Sequence, residues 1–391
     1  MNERPGIYVH IPFCQRKCYY CDFVSYPLDK GYSDVIERYL VALLREIPLR
    51  RSWLNKTQGA SNPYVFHSLY IGGGTPSILS VEQIGRLMEV IRRCLPLSEE
   101  AEITLEANPG TIDAGELRGL RQIGVNRLSL GVQSFDDVFL ARLGRLHNVN
   151  DVLRVVEEAR MAGFRDLSFD LMLGLPGQDL AAWQETLARA VKLRPEHISC
   201  YELTIEPDTV YGQWYRQGKI TLPIEDTVIS MLEWTGQYLA DHGYEHYEIS
   251  NYALPGYKAR HNLIYWQNRW YLGLGAGAYS YWQGRRWGNT YQLKKYHDLI
   301  AIDELPEEEE EILDLRGQAG ETMMLGLRLL EGVSLAEFRA RFGISMWELW
   351  PEDIDGFLAQ GLLELDRGRL RLSSRGLLLA NQVLCAFVGS S

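Results

Sequence analysis

Tyr8-Val9-His10-Ile11-Pro12-Phe13-Cys14-Gln15-Arg16-Lys17-Cys18-Tyr19-Tyr20-Cys21 carries the reading of this chain. An apolar strand-like run ends in a loop that holds three of the chain's six cysteines. Three thiolates on one short loop can grip three corners of an iron–sulfur cube and leave the fourth iron without a protein ligand. An open metal position suits catalysis or chelation of a small molecule. The alternative from spacing alone is a structural zinc ion, with His10 or a distant residue as fourth ligand. Cys94, Cys200 and Cys385 stand alone among apolar residues and read as small core fillers.

Strand-like and helix-like segments alternate outward from that loop. Strands are expected at residues 6–10, 66–71, 102–106, 125–130, 167–173 and 197–203. Residues 81–94 and 152–162 between them have helical periodicity. Ser80-Val81-Glu82-Gln83 fits a capping box at the start of the first of these. Such alternation implies right-handed βαβ units and a parallel sheet. The count is six units, two short of a closed eight-fold barrel. The first strand ends in the cysteine loop and the second in Gly72-Gly73-Gly74-Thr75-Pro76. The third ends in Glu106-Ala107-Asn108-Pro109 and the fourth in Gly131-Val132-Gln133-Ser134, while the fifth runs into Asp170. The glycines are either a tight turn or a backbone that approaches a ligand and offers N–H groups to a carboxylate. Five polar strand ends in register point to one rim.

After residue 205 the texture changes. A helix is expected at 227–241, with short strands and loops at 246–251 and 270–281. Trp266, Trp270, Trp282 and Trp287, four of the ten tryptophans, fall here. They read as core, or as the wall of a site for a flat ligand. The acidic run 307–311 reads as the solvated first turn of a helix. Helices are expected at 323–330, 335–342 and 377–387. Residues 362–365 and 370–372 flank Asp366-Arg367-Gly368-Arg369 as a hairpin. Helices with a hairpin suggest a winged-helix-like module. The expected division is 1–205, 206–300 and 301–391.

The composition excludes several classes. Of 391 residues, 46% are hydrophobic and 23% charged, as in ordinary globular proteins. The net charge of −11 argues against nucleic acid as a partner. No apolar run reaches the length of a membrane span, and no signal-like segment follows Met1; a cytoplasmic location is expected.

Cys-x3-Cys-x2-Cys followed by Gly-Gly-Gly-Thr-Pro resembles the radical S-adenosylmethionine (SAM) superfamily. Residues 8–13, 72–77, 131–135 and 170–176 resemble the branch of oxygen-independent coproporphyrinogen III oxidase. The likeness runs from about residue 6 to 385. It implies an α/β fold, a partial (β/α)6 TIM-like barrel with a C-terminal helical, winged-helix-like domain. It implies a [4Fe-4S] cluster on Cys14, Cys18 and Cys21, with SAM on the fourth iron. Tyr8 and Tyr20 would flank the cofactor. Gly73, Gly74 and Thr75 would hold its methionine end, and Glu106, Gln133, Arg145 and Asp170 its polar groups. Arginine suits a carboxylate, and Glu or Asp an ammonium or hydroxyl pair.

Two features separate branches. The oxidase carries a further cysteine two residues after the third, where this chain has Asp22-Phe23, and it has a long N-terminal extension before its cysteines. Cys-x-Phe resembles the haem chaperones of the HemW type. So does His261-Asn262-Leu263-Ile264-Tyr265-Trp266. His261 would be an iron ligand, with Tyr265 and Trp266 as flat walls and Arg260 on a propionate; a buried structural histidine is the alternative. His246 and His242 are weaker candidates. The expected function is a haem chaperone that binds haem and the SAM-associated cluster and delivers haem to an acceptor such as a respiratory enzyme. Any membrane contact would come through that acceptor, and the oligomeric state stays open. The rival readings are coproporphyrinogen III dehydrogenation by oxidative decarboxylation, and a zinc-stabilised barrel with a binding role.

Overall fold

The computed structural model describes residues 4–28, 33–58 and 64–388. The first strand, β1 (Gly6–Ile11), runs into the cysteine loop, whose two ends pair as β2 (Phe13–Cys14) and β3 (Tyr26–Pro27). The alternation continues with α1 (Ser33–Gln58), β4 (Phe66–Gly73), α2 (Val81–Cys94), β5 (Leu97–Ala107), α3 (Ala114–Gln122) and β6 (Arg127–Gln133). Then come α4 (Asp137–Leu143), α5 (Val149–Met161), β7 (Leu167–Leu173), α6 (Leu180–Lys192) and β8 (His197–Glu202), followed by α7 (Val210–Arg216) and α8 (Glu225–Asp241). Strands β1, β4, β5, β6, β7 and β8 lie side by side, all parallel, as the six units of a partial barrel. Their buried runs, such as Ile7, Val9 and Ile11, read as near-continuous apolar sequence because helices cover the outer face. The capping box at Ser80 and Gln83 forms as its sequence dictates.

The chain then extends this sheet at both edges. Strands β9 (Glu245–Glu248) and β10 (Asn251–Ala253) add antiparallel beyond β8. After α9 (Arg260–Trp266), β11 (Tyr271–Leu274) inserts parallel to β1 on its free side. Strands β12 (Tyr279–Trp282) and β13 (Arg285–Asn289), helix α10 (Leu293–Ala301) and β14 (Glu307–Ile312) follow. The result is one sheet of twelve strands. The acidic run 307–311 is thus not a helix start but an edge strand paired with β13. Arg285 meets Glu307 and Glu310, Arg286 meets Glu311, and Lys295 meets Glu308. These cations offset the repulsion that leaves such a run unpaired elsewhere.

The expected break at residue 300 falls inside α10's end, with the large core still continuous through Ile300. A separate core begins at Ala319. It is built from α11 (Leu315–Gly326), β15 (Val333–Ser334), α12 (Leu335–Phe342), α13 (Met346–Leu349), α14 (Pro351–Ala359), β16 (Leu363–Asp366), β17 (Arg369–Leu372), α15 (Ser374–Leu378) and α16 (Ala380–Val388). The hairpin β16–β17 has the expected register, and β15 joins it as a third strand. Helix α11 replaces the helix expected at 323–330, and the last helix breaks at Leu379. Cys385 is exposed rather than a core filler, whereas Cys200 is buried. No helix among the described residues is long and apolar enough to cross a membrane.

One buried polar cluster joins the late strands to α1. Glu46 is 0% exposed. It accepts hydrogen bonds from Gly275 N at 2.8 Å, Tyr296 Oη at 2.7 Å and Asn289 Nδ2 at 2.8 Å. Arg50, one turn along α1, pairs with Glu46 at 3.5 Å and with Glu307 of β14. Removing one partner of such a set leaves an uncompensated buried charge. Glu46→Ala is expected to cost about 3–5 kcal/mol, read as a large fall in melting temperature. A change below about 1 kcal/mol would show that the extension is held by its apolar contacts alone.

Candidate functional site

The three cysteines arch over the C-terminal ends of the barrel strands, where such folds place their sites. The loop is fastened by backbone on both sides. Tyr26 N donates to Pro12 O at 2.8 Å and Leu28 N to Cys14 O at 2.9 Å. Tyr19 N donates to Leu143 O at 3.1 Å, and Arg16 Nε reaches Gly144 O at 3.1 Å. From beneath, Thr75 N donates to Phe13 O at 2.8 Å and Gly74 N to Ile11 O at 2.9 Å. The triple glycine is explained first by this packing. A Cβ on Gly74 would stand 2.5 Å from Phe13 O, and one on Gly73 would stand 2.7 Å from the His10 ring. Gly73 also takes φ +116°, outside the range of other residues.

Beneath the loop lies a cavity of about 410 Å³. Its walls bring together Cys14, Cys18, Cys21, Tyr20, Gly73, Gly74, Thr75, Glu106, Gln133, Arg145 and Asp170 from the sequence-derived set. Tyr8 is not among them. It pairs in register with Tyr70, which takes the wall position, and its hydroxyl bonds His10 Nδ1 at 2.9 Å. Tyr8 stands beside that wall, its ring stacked on Tyr70 at 6.2 Å. Gln133 ends β6 with φ +64°, a conformation uncommon for a residue with a side chain.

The polar groups are linked. Thr75 Oγ1 donates to Cys14 Sγ at 3.4 Å and accepts from Asn108 Nδ2 at 3.0 Å. Arg145 bonds Asn108 Oδ1, Gly131 O at 2.7 Å and Cys18 Sγ at 3.5 Å. Asn108 thus joins two of the three thiols through one chain of hydrogen bonds. The local sequence marks Asn108 only by its position two residues beyond Glu106 at the same strand end. Tyr70, Ser129 and Tyr201 were missed, since they lie within strands where aromatic and hydroxyl residues look like core.

Burial governs the ionisation of this cavity. It pushes Cys21 up to about 11, with the charges of Cys18 and Cys14 adding to the rise. Burial also raises Cys14 and Tyr20, while Arg145 pulls both down. Asp170 is raised by burial, against hydrogen bonds from Ser199 and Ser129. Glu106 is pushed up to about 7 by burial, with Asp170 adding, although Tyr70 Oη (2.7 Å) and Gly73 N (3.1 Å) donate to it.

The donor set fits a cube better than a single ion. The thiols perturb one another, yet among the described residues no three His, Cys, Asp or Glu side chains converge as ligands of one metal ion. His10 is spent elsewhere: its Nδ1 meets Tyr8 and its Nε2 meets Val24 O at 2.8 Å. That removes it as the fourth ligand of a zinc site.

His261 lies outside the cavity and is 1% exposed. Its Nδ1 bonds Ser68 Oγ at 2.8 Å and its Nε2 bonds Tyr265 Oη at 2.9 Å. Its ring stacks on Tyr70 at 5.2 Å, and burial lowers it to about 3. Both nitrogens are hydrogen-bonded inside the fold, the arrangement that the structural alternative expects. Arg260 is engaged with Glu100 O at 2.8 Å. His246 bonds Ile249 O and stacks on Tyr252, and His242 bonds Tyr238 O.

Residues 8–190 match the Radical SAM superfamily and residues 313–379 the HemN C-terminal domain. The chain is 39% identical over 383 residues to the heme chaperone HemW of Bacillus subtilis (strain 168), covering 98% of each chain. It is 36% identical over 389 residues to the heme chaperone HemW of Escherichia coli (strain K12), again covering 98% of each. The solved structure of coproporphyrinogen III oxidase (HemN) from Escherichia coli, a radical SAM enzyme, superposes with a TM-score of 0.84 at 25% identity. That match covers 99% of this chain and 91% of the other. A six-unit partial barrel crowned by a three-cysteine loop defines a radical SAM protein. Within that superfamily, the chain belongs to the HemW family of heme chaperones. Membership implies SAM and a [4Fe-4S] cluster.

Two outcomes follow from this geometry. Glu106 takes up a proton on folding, because its pKa rises from 4.5 to about 7. The stability it contributes is complete below about pH 4.5 and is lost as pH rises to about 7. In metal-free protein, Glu106→Gln should flatten the fall in melting temperature across that window. An unchanged pH profile would mean that Glu106 is ionised throughout. His261→Ala should cost about 2–4 kcal/mol through lost hydrogen bonds and a cavity. The haem absorption spectrum of the folded variant should not shift; a shifted spectrum would restore His261 as a ligand.

Proposed function

We propose that this chain carries haem and, on the same molecule, a SAM-bound [4Fe-4S] cluster, and that it passes haem to an acceptor protein. One observation carries the reading: three thiols without a fourth protein partner arch over a cavity walled by Glu106, Asp170 and Arg145, in a chain matching heme chaperones from end to end. In this reading Cys14, Cys18 and Cys21 hold three irons, and the fourth takes the amino and carboxylate groups of SAM. Gly73, Gly74 and Thr75 lie at its methionine end. The buried acids Glu106 and Asp170 suit an ammonium or a ribose diol, and Gln133 and Tyr20 complete the enclosure. When bound, the cluster supplies an electron source and an open iron. The chain's own residues exclude water, fix the thiols and set the charge of the walls. We place the cluster and SAM in the barrel, and the acceptor is a protein with an empty haem site.

Phe23 stands where the oxidase branch has its extra cysteine, and it is 70% exposed at the cavity rim. That supports carriage over porphyrinogen decarboxylation. Anaerobic reconstitution tests both on one sample. Serine at Cys14, Cys18 or Cys21 should reduce bound iron and sulfide to background, whereas serine at Cys94, Cys200 or Cys385 should not. The wild-type protein should bind haem and should consume coproporphyrinogen III no faster than a cluster-free control. Turnover above that control would establish the oxidase reading instead.

A further inference from the structure

Asn108 stands one residue past β5, and its backbone is fastened on both sides. Its N–H donates to Ser77 Oγ at 3.3 Å. Its carbonyl accepts from Thr111 N at 3.1 Å and from Thr111 Oγ1 at 2.7 Å. Pro109 follows and disfavours helical backbone at residue 108. Gly131 of β6 clears the space opposite the side chain. A Cβ there would stand 2.8 Å from Asn108 Oδ1 and 3.0 Å from Arg145 Nη2. The amide is thus seated between Arg145 and Thr75.

Those two partners dictate which way the amide points. A guanidinium has donors only, so the atom that meets Arg145 Nη2 is Oδ1. That leaves Nδ2 facing Thr75 Oγ1 at 3.0 Å. An amide nitrogen also only donates, so the Thr75 hydroxyl accepts there and spends its single proton on Cys14 Sγ, 3.4 Å away. Donation therefore runs in one direction, from Arg145 through Asn108 and Thr75 to Cys14. Bonds aligned in this way polarise one another. Arg145 Nη1 separately donates to Cys18 Sγ at 3.5 Å. An aspartate at position 108 would still accept from Arg145. It would accept from Thr75 as well, and so turn the hydroxyl proton away from the thiol.

We propose that Asn108 is a positioning residue that fixes the direction of this relay, and so sets how readily a cluster on Cys14, Cys18 and Cys21 takes up one electron. This role rests on the cluster reading above and deepens it. Hydrogen bonds to the ligating sulfurs are one of the levers on cluster potential. A donor stabilises the negative charge that the electron adds, so it raises the potential. The side chain of Asn108 touches no thiol itself; it acts on Cys14 through Thr75.

The test uses the full-length protein, reconstituted anaerobically without SAM and titrated with dithionite in the presence of redox mediators. The midpoint potential is read by absorbance and electron paramagnetic resonance. Asn108→Leu keeps the size of the side chain and leaves Arg145 its bonds to Gly131 O and Cys18. It should disfavour reduction about tenfold, a fall of about 59 mV for one electron, with iron and sulfide content near wild type. Thr75→Val removes the last donor and should lower the potential as much. The double variant should fall no further than Thr75→Val alone, because both changes cut one chain. Asn108→Asp is the second probe. It should lower the potential more in the wild-type background than beside Thr75→Val, where only its charge acts. A wild-type potential in Asn108→Leu, or additive falls in the double variant, would overturn the relay. Loss of the cluster from both Asn108 variants while the wild type loads would also overturn it, leaving Asn108 a structural residue of the loop. Wild-type protein that assembles no cluster would overturn the cluster reading itself, and the relay's role with it.

Discussion

The contact on which the site depends is the one between the end of β4 and the backbone of Phe13. Gly74 has no side chain, so the strand end lies flat against the start of the cysteine loop. Thr75 N and Gly74 N then clamp the loop by two main-chain hydrogen bonds. Main-chain bonds hold the loop's path whatever its side chains do. The thiols are left to point downward into the cavity. The loop's path is thus carried by main-chain bonds in addition to anything its thiols hold.

Electrostatics builds on that frame. Glu106, Asp170, Arg145 and three thiols share one cavity. Burial disfavours the charged forms there, and Glu106, Asp170, Cys14 and Cys21 are all raised. Arg145 is the counterweight, held by Asn108, Gly131 O and Cys18.

Much of this was legible along the chain. Local signals wrote the six βα units, the capping box at Ser80 and the β16–β17 hairpin, because periodicity and turn chemistry act over a few residues. Eleven of the twelve residues expected around the cluster and SAM line one cavity, Tyr8 being the exception, and the three cysteines were evident from their spacing. What the chain hid depends on distant partners. Strand β14 exists because Arg285, Arg286 and Lys295 come to face its glutamates. The Nδ1 of His261 meets Ser68, 193 residues away. No window of sequence contains either fact. The role of Asn108 was hidden for the same reason, as it lies in bonds to Thr75 and Arg145 from other strands.

The pairing of β11 with β1 sets a timetable for biosynthesis. Gly6 and Ile7 must wait for Tyr271 and Leu272 before the inner edge of the sheet is closed. On the ribosome, the barrel's first strand emerges with one flank covered by β4 and the other bare. Such a flank is an apolar template for other chains until about two-thirds of the polypeptide has been made. Long-range parallel pairing of this kind also slows folding, since the intervening loop must close before the contact rewards it. A nascent or truncated chain ending before residue 271 would therefore display the cysteine loop on an unfinished sheet.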